Sequence, residues 1–215
     1  FEAGISLPNE MEHLEEIIQP KYGILTNIGT AHDEGFLNRE QKIKEKIKLF
    51  KNCSDVFLHK NQKIEDLLPV NCKKHTWSFI DETATLFVSK NRNNNKTELT
   101  FKNKQTTFSI NIPFFDDNSI ENVITCVNFM LFIGTEIALI QNKVADLYPV
   151  ELRLQAKKGI NNCLIIDDSY SVDYPSLKIA LNFLEQQNLH LKKTIILSDV
   201  FTSGISIESL YSQVK

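Results

Sequence analysis

Several places along the chain carry side chains suited to chemistry. The segment Thr26-Asn27-Ile28-Gly29-Thr30-Ala31-His32-Asp33-Glu34-Gly35-Phe36 ends an apolar run, turns at Gly29 and presents a histidine followed by two acids. In α/β sheets functional groups collect at the carboxyl ends of strands. His32 there can ligate a metal or hold a phosphate; equally, it can be a surface histidine that caps a helix. Lys46 is the second candidate. At about 100° per residue, Ile43, Ile47 and Phe50 cluster within about 60°, with Lys46 beside Phe50 on that face, whereas Lys44 and Lys48 point away. An inward lysine is costly unless neutralised or paired, although a lysine can also bury its stem and let the amine snorkel out. Glu2, placed just before Gly4 where a strand reads as ending, can reach a cation or stand as a surface acid. Asp167-Asp168-Ser169-Tyr170 follows the apolar run Cys163–Ile166. Paired acids there can bind ribose hydroxyls or a metal, or Asp168 or Ser169 can simply cap the next helix. Asp199 ends the following apolar run in the same way.

The elements that must position these groups alternate. Met11, Leu14, Ile17 and Ile18 make a helical stripe between Pro8 and Gln19, stopped by Pro20. Tyr22 to Ile28 reads as a buried parallel strand, Asn38 to Asn52 as a helix and Asp55 to His59 as another strand. This is the pattern of a doubly wound α/β sheet. Between residues 75 and 112 the runs Thr76–Ile80, Thr85–Ser89, Glu98–Phe101 and Thr106–Ile112, parted by polar turns, predict a small antiparallel meander, with Asn93, Asn94 and Asn95 at a loop tip. Helices follow over Ser119–Ile133 and on to Asp146, and Pro149 marks a domain boundary. Beyond it the alternation resumes: strand Cys163–Ile166, helix Tyr174–Gln187, strand Thr194–Leu197 and a helix from about Ile207. The chain starts at Phe1, not Met, and stops at Lys215 inside a helical pattern, which predicts a part of a longer protein.

The chain has 215 residues, 42% of them apolar and 24% charged, enough for one generous domain or two compact ones. Its net charge of -3 argues against a general nucleic-acid or membrane-surface binder, which needs a basic excess. No apolar run approaches the roughly 20 residues that span a bilayer, and no secretory signal opens the chain. Cys53, Cys72, Cys126 and Cys163 form no CxxC pair and read as reduced thiols of a cytoplasmic protein. No Gly-x-x-x-x-Gly-Lys-Ser/Thr loop, Gly-x-Ser-x-Gly elbow or HExxH occurs, so the 215 residues do not hold a complete P-loop ATPase.

Taken together the pieces resemble the Mur ligases, most closely the type that adds D-alanyl-D-alanine to UDP-MurNAc-tripeptide. Glu2-Ala3-Gly4-Ile5-Ser6-Leu7-Pro8-Asn9-Glu10 is similar to the acid, small-residue stretch and Pro-x-Glu that follow the family's P-loop strand. Thr26 to His32 is similar to its Thr-Asn-x-x-x-x-His segment, and Lys46, fourteen residues on with Phe50 four further, to its lysine and aromatic. Asn122 in Ser119-Ile120-Glu121-Asn122 matches the adenine-side asparagine, Arg153-Leu154 the opening of the last domain, residues 167–170 its Asp-Asp-Ser-Tyr, and Ile196-Leu197-Ser198-Asp199 the next strand and acid. Two departures stand out: Ser171-Val172-Asp173-Tyr174-Pro175 replaces the usual Asn-Ala-Asn-Pro, and Asn118 stands where a histidine is expected. Glu-Ala-Gly-Ile-Ser and Gly-Ile-Asn-Asn-Cys are similar to the Bacteroidetes form fused to an alanine racemase; pyridoxal phosphate is implied only for such a downstream domain.

The resemblance implies an α/β fold. Residues 1–149 would be the C-terminal part of a central ATP-binding domain, a mostly parallel sheet plus the antiparallel meander, and residues 150–215 the start of a Rossmann-like C-terminal ligase domain. It implies a cytoplasmic ATP-dependent amide ligase of peptidoglycan precursor synthesis that works through an acyl phosphate, with UDP-MurNAc-tripeptide and D-Ala-D-Ala as substrates. Neither nucleic-acid binding nor membrane insertion is implied. ATP and Mg2+ would be held by Glu2, His32 and a Lys46 carbamylated by carbon dioxide; Asn122 would meet adenine, Asp168 the ribose side and Arg153 a phosphate. Without the P-loop, the 215 residues alone are expected to be inactive. Another Mur-type or folylpolyglutamate-type ligase, or a nucleotide-binding module that has lost the chemistry, are the alternatives.

Overall fold

The computed structural model describes residues 1–29, 33–92, 96–104, 106–148, 155–170, 174–186 and 192–198, with 208 and 212. Two compact units divide the chain: residues 1–28 with 36–148, and residues 29–35 with 149–215.

The first unit is built on one six-stranded sheet in the order β1 (Tyr22–Leu25), β2 (Asp55–His59), β3 (Lys73–Ser78), β4 (Leu86–Arg92), β5 (Thr97–Lys102) and β6 (Thr107–Ile112). The first four strands run parallel and the last three form antiparallel pairs. The expected meander is thus shorter by one strand. Its first run joins the parallel part as β3, because Asp55–His59 align with Lys73–Trp77 along their full length. The turn after β3, where Ser78 Oγ accepts from the Ile80 and Asp81 amides, sends β4 onward in the same direction.

Helix α1 (Glu10–Ile18) and helix α2 (Arg39–Ile47) flank the start of the sheet, and a short helix, α3 (Gln62–Glu65), follows β2. The α1 stripe differs from its expectation at one position: Ile17 is exposed, and Glu15 is the buried residue of that turn, accepting from Asn52 Nδ2 at 2.7 Å. α2 opens with a reciprocal cap, in which Asn38 Oδ1 accepts from the Gln41 amide at 2.9 Å and Gln41 Oε1 from the Leu37 amide at 2.7 Å. It tightens into a 3-10 turn over Lys48–Phe50. β2 is buried from Asp55 to Leu58, as a central parallel strand covered on both faces must be. β1 is less buried than its apolar run suggests: it spans four residues, and Tyr22 and Ile24 are exposed.

Two long helices, α4 (Asp117–Phe132) and α5 (Ile137–Ala145), close the main core against β3–β6, with Ile120, Val123, Ile124, Val127, Ile140 and Val144 packed on Trp77, Leu86, Val88, Leu99, Phe101, Ile110 and Ile112. In the second unit a hairpin of β7 (Gln155–Lys158) and β8 (Leu164–Asp167) precedes helix α6 (Tyr174–Gln186). Asn161 and Asn162 both have left-handed φ (54° and 57°), and the Cys163 amide bonds the Ile160 carbonyl at 3.0 Å. Two successive positive φ values in a two-residue loop are the hairpin turn that asparagine favours. Residues 194–197, expected as a strand, have no regular structure, and the helix from about Ile207, the loop tip at 93–95, Pro149 and Arg153-Leu154 lie outside the described residues. Among the described residues no helix is long and apolar enough to cross a membrane.

Candidate functional site at the carboxyl ends of the parallel strands

Packing fixes which end of the sheet each candidate approaches. Trp77, near the carboxyl end of β3, donates its Nε1 hydrogen to Thr125 Oγ1 at 3.0 Å, while the carbonyl of His75, two residues earlier, accepts from Asn128 Nδ2 at 2.9 Å. α4 therefore runs antiparallel to β3, and its first turns lie at the carboxyl end. Asn122 is exposed there, three residues before Thr125. The positive pole of α4 points to the same end. Asp116 caps that pole by accepting from the Ser119 amide at 2.8 Å. Lys90 Nζ and Arg92 Nη2 each lie 2.6 Å from Asp117 Oδ1. Burial pushes the Asp117 carboxyl up, but these two cations outweigh it and hold it low. Burial, then the Asp117 charge, pushes the neighbouring Glu121 carboxyl up.

α2 is held just as firmly. Gly23 in β1 faces Phe50 so closely that a β-carbon there would lie 2.4 Å from Phe50 Cδ1. At the other end, Arg39 Nη2 donates to the Ile28 carbonyl at 3.1 Å. Lys46 precedes Phe50 by one turn, about 6 Å of helix rise or about two residues of strand. That brings it level with Leu25, the last residue of β1. Its side chain is half-buried, and burial, followed by the charge of Lys42, pushes its amine below the usual lysine range. Lys44 and Lys48 do point outward, paired with Glu40 at 2.7 Å and Glu45 at 2.9 Å. Lys42, which the sequence reading passed over, is the most enclosed lysine of α2, 1% exposed. Its spacing of four residues from Lys46 was the available signal.

Glu2 is exposed; its neighbour Ala3 packs against the cluster of Ile5, Met11 and Phe36, as does Leu49 just beyond Lys46. The N-terminal segment and the α2 region thus share one small core. His32 and Arg153 lie outside the described residues. Ile28 and Phe36, which bracket the histidine segment, are both buried in the first unit. Asp168 belongs to the second unit and is half-buried. Beside it Asp167 accepts from Lys157 Nζ at 2.9 Å and Ser169 Oγ at 2.7 Å. Ser169 and then Lys157 hold the Asp167 carboxyl below the usual range. Among the described residues no three His, Cys, Asp or Glu side chains converge as a metal site.

Residues 1–130 match the Mur ligase middle domain. The chain belongs to that family. The UDP-N-acetylmuramoyl-tripeptide–D-alanyl-D-alanine ligase of Bacillus subtilis (strain 168) is 20% identical to this Mur ligase chain over 217 residues, covering 99% of it and 47% of the relative. The enzyme of the same name from Borreliella burgdorferi is 27% identical over 216 residues, 92% of this chain and 43% of the relative. MurF from Acinetobacter baumannii shares the fold, with a TM-score of 0.76 at 20% identity over 87% of this chain and 42% of that one. So does the MurF ligase of Thermotoga maritima, solved with ADP, with a TM-score of 0.69 at 18% identity over 84% of this chain and 42% of that one. This Mur ligase chain spans a little under half the length of these curated relatives.

Proposed function

We propose that the chain is the latter part of the central ATP-binding domain (residues 1–149) and the first part of the C-terminal domain (150–215) of a cytoplasmic ligase that joins D-Ala-D-Ala to UDP-MurNAc-tripeptide. The observation that carries this reading is Lys46: a lysine of a Mur ligase middle domain, level with the end of β1, whose amine is pushed toward the neutral form by burial. A neutral amine is what carbon dioxide requires. Carbamylation would convert a cationic side chain into an oxygen donor, the type of ligand that magnesium prefers.

The reaction has an electrostatic obstacle, because an anionic carboxylate must meet an anionic triphosphate before an acyl phosphate forms and the incoming amine displaces phosphate. Glu2, His32 and carbamylated Lys46 would hold magnesium, which when bound supplies positive charge to offset that repulsion. Asn122, exposed at the positive end of α4, would hold adenine by its amide. Arg153 would donate in bidentate fashion to a phosphate, and Asp168 would accept from the ribose hydroxyls.

The test is phosphate release by the protein that carries this chain, supplied with ATP, Mg2+, UDP-MurNAc-tripeptide and D-Ala-D-Ala. Release should require both peptide substrates and fall by about a hundredfold or more in Lys46→Ala. Turnover with a free amino acid in place of the dipeptide would point to another Mur-type or folylpolyglutamate-type ligase. Nucleotide binding without turnover would point to a binding module.

A further inference from the structure

Lys42 is an unusual residue to enclose. At 1% exposure it is among the largest fully buried side chains of the protein. Burying a lysine is costly, and the apolar stripe of α2 does not demand it: Ile43 and Ile47 already face the core formed with Phe50, Cys53, Val56 and Leu58. On the helix, Lys42 lies about 40° from Lys46 and about 60° from Glu45. The inward arc of α2 is therefore half apolar and half ionic. Glu45 does not engage Lys42: its carboxylate bonds Lys48 at 2.9 Å, and its Oε1 is buried without a hydrogen-bond partner among the described residues. The direct electrostatic neighbour of Lys42 along this arc is Lys46, one turn on, toward the end of β1.

We propose that Lys42 is a positioning residue for a carbamate on Lys46: it supplies the fixed opposite charge that holds the modified side chain. This rests on the reading of Lys46 given above. In the modification the lone pair of the neutral Lys46 amine forms an N–C bond to carbon dioxide. One C=O π pair moves onto oxygen, and the proton lost from nitrogen goes to water, leaving an N-carboxylate of charge −1. Two lysines side by side repel; a lysine beside a carbamate attracts. The same pair of positions thus disfavours the unmodified state and favours the modified one. At a separation of about 6 Å and an effective dielectric near 20–40, that attraction changes the equilibrium by about tenfold to a hundredfold.

The experiment is carbon NMR of the 215-residue chain in 13C-bicarbonate with Mg2+, at fixed pH, following a protein carbamate resonance that Lys46→Arg abolishes. In Lys42→Met the bicarbonate concentration for half-occupancy should rise at least about tenfold, and Lys42→Arg, which keeps the charge, should restore it. Circular dichroism establishes that each variant is folded. Should the methionine variant not fold, Lys42→Gln, similar in length and neutral, carries the same expectation. Wild-type occupancy in a folded neutral variant, or loss of the carbamate in folded Lys42→Arg, overturns the inference while leaving the reading of Lys46 intact. No carbamate in the wild-type chain overturns both.

Discussion

Replacing Gly23 by alanine should destabilise the first unit through Phe50 rather than through its own backbone. The added methyl would lie 2.4 Å from Phe50 Cδ1, 2.6 Å from Cε1 and 3.3 Å from Cys53 Sγ. Carbon atoms pack at about 3.5–4.0 Å, so the ring must withdraw by about 1 Å. Phe50 is 2% exposed among Ile47, Cys53, Val56 and Leu58, and close-packed interiors leave no such room. Overpacking of this kind costs about 1–3 kcal/mol. The stiffer unfolded chain returns about 0.4–1 kcal/mol, leaving a net loss of about 1–2 kcal/mol. The assay is urea unfolding followed by far-ultraviolet circular dichroism for Gly23→Ala, Phe50→Leu and the double variant. With a slope of about 1–3 kcal/mol per molar urea, the midpoint of the single alanine variant should fall by roughly 0.5–1 M. In the Phe50→Leu background, alanine should cost at least about 1 kcal/mol less. Strictly additive effects, or an unchanged midpoint for Gly23→Ala, would refute the reasoning, and with it the bracket that sets Lys46 level with the end of β1.

Thr125→Val removes the acceptor of the Trp77 indole N–H and should cost about 1–3 kcal/mol, whereas Thr125→Ser keeps the hydroxyl and loses only a methyl; equal midpoints for the two would show that the hydrogen bond at 3.0 Å is not what holds α4 to β3. The Asp55 carboxyl is held below the usual range, first by the hydrogen bond from His75 Nε2 at 2.8 Å and then by Ser54 Oγ at 2.7 Å. A depressed folded pKa contributes stability above the unfolded value of about 3.9, and that contribution is lost as pH falls through the folded pKa. Asp55→Asn should therefore be the less stable protein at neutral pH and lose less stability on acidification below about pH 4; parallel stability curves for the two proteins would contradict this.

The parts of the fold that were legible in the sequence were those where local and tertiary demands agree. β2 has the bounds its apolar run suggests, and α4 sits within two residues of its expected start because Asp116, the capping residue, lies just ahead of a strongly periodic stretch. β7 was not legible: Gln155-Ala156-Lys157-Lys158 has no apolar alternation, and its four residues are strand only because β8 pairs with them. The usable clue was Asn161-Asn162, a pair suited to successive positive φ values, in a segment read only for its family likeness. The run 194–197 erred the other way, since apolar residues form a strand only where a partner accepts their hydrogen bonds. In the site, Ile43, Ile47 and Phe50 were enough to mark Lys46 as inward. They could not mark Lys42, which lies a turn beyond the apolar anchors, where α2 has turned from core to ionic surroundings.

The protein's one tryptophan gives this site a built-in optical reporter. Trp77 has no solvent exposure, and its ring lies 4.4 Å from the imidazole of His59, the last residue of β2. An imidazolium quenches indole fluorescence and a neutral imidazole does so far less. Burial keeps His59 neutral to lower pH than an ordinary histidine. Emission from the whole chain therefore comes from a single ring beneath the carboxyl edge of the sheet. A ligand or proton arriving there announces itself in the light the protein gives off, with no label attached.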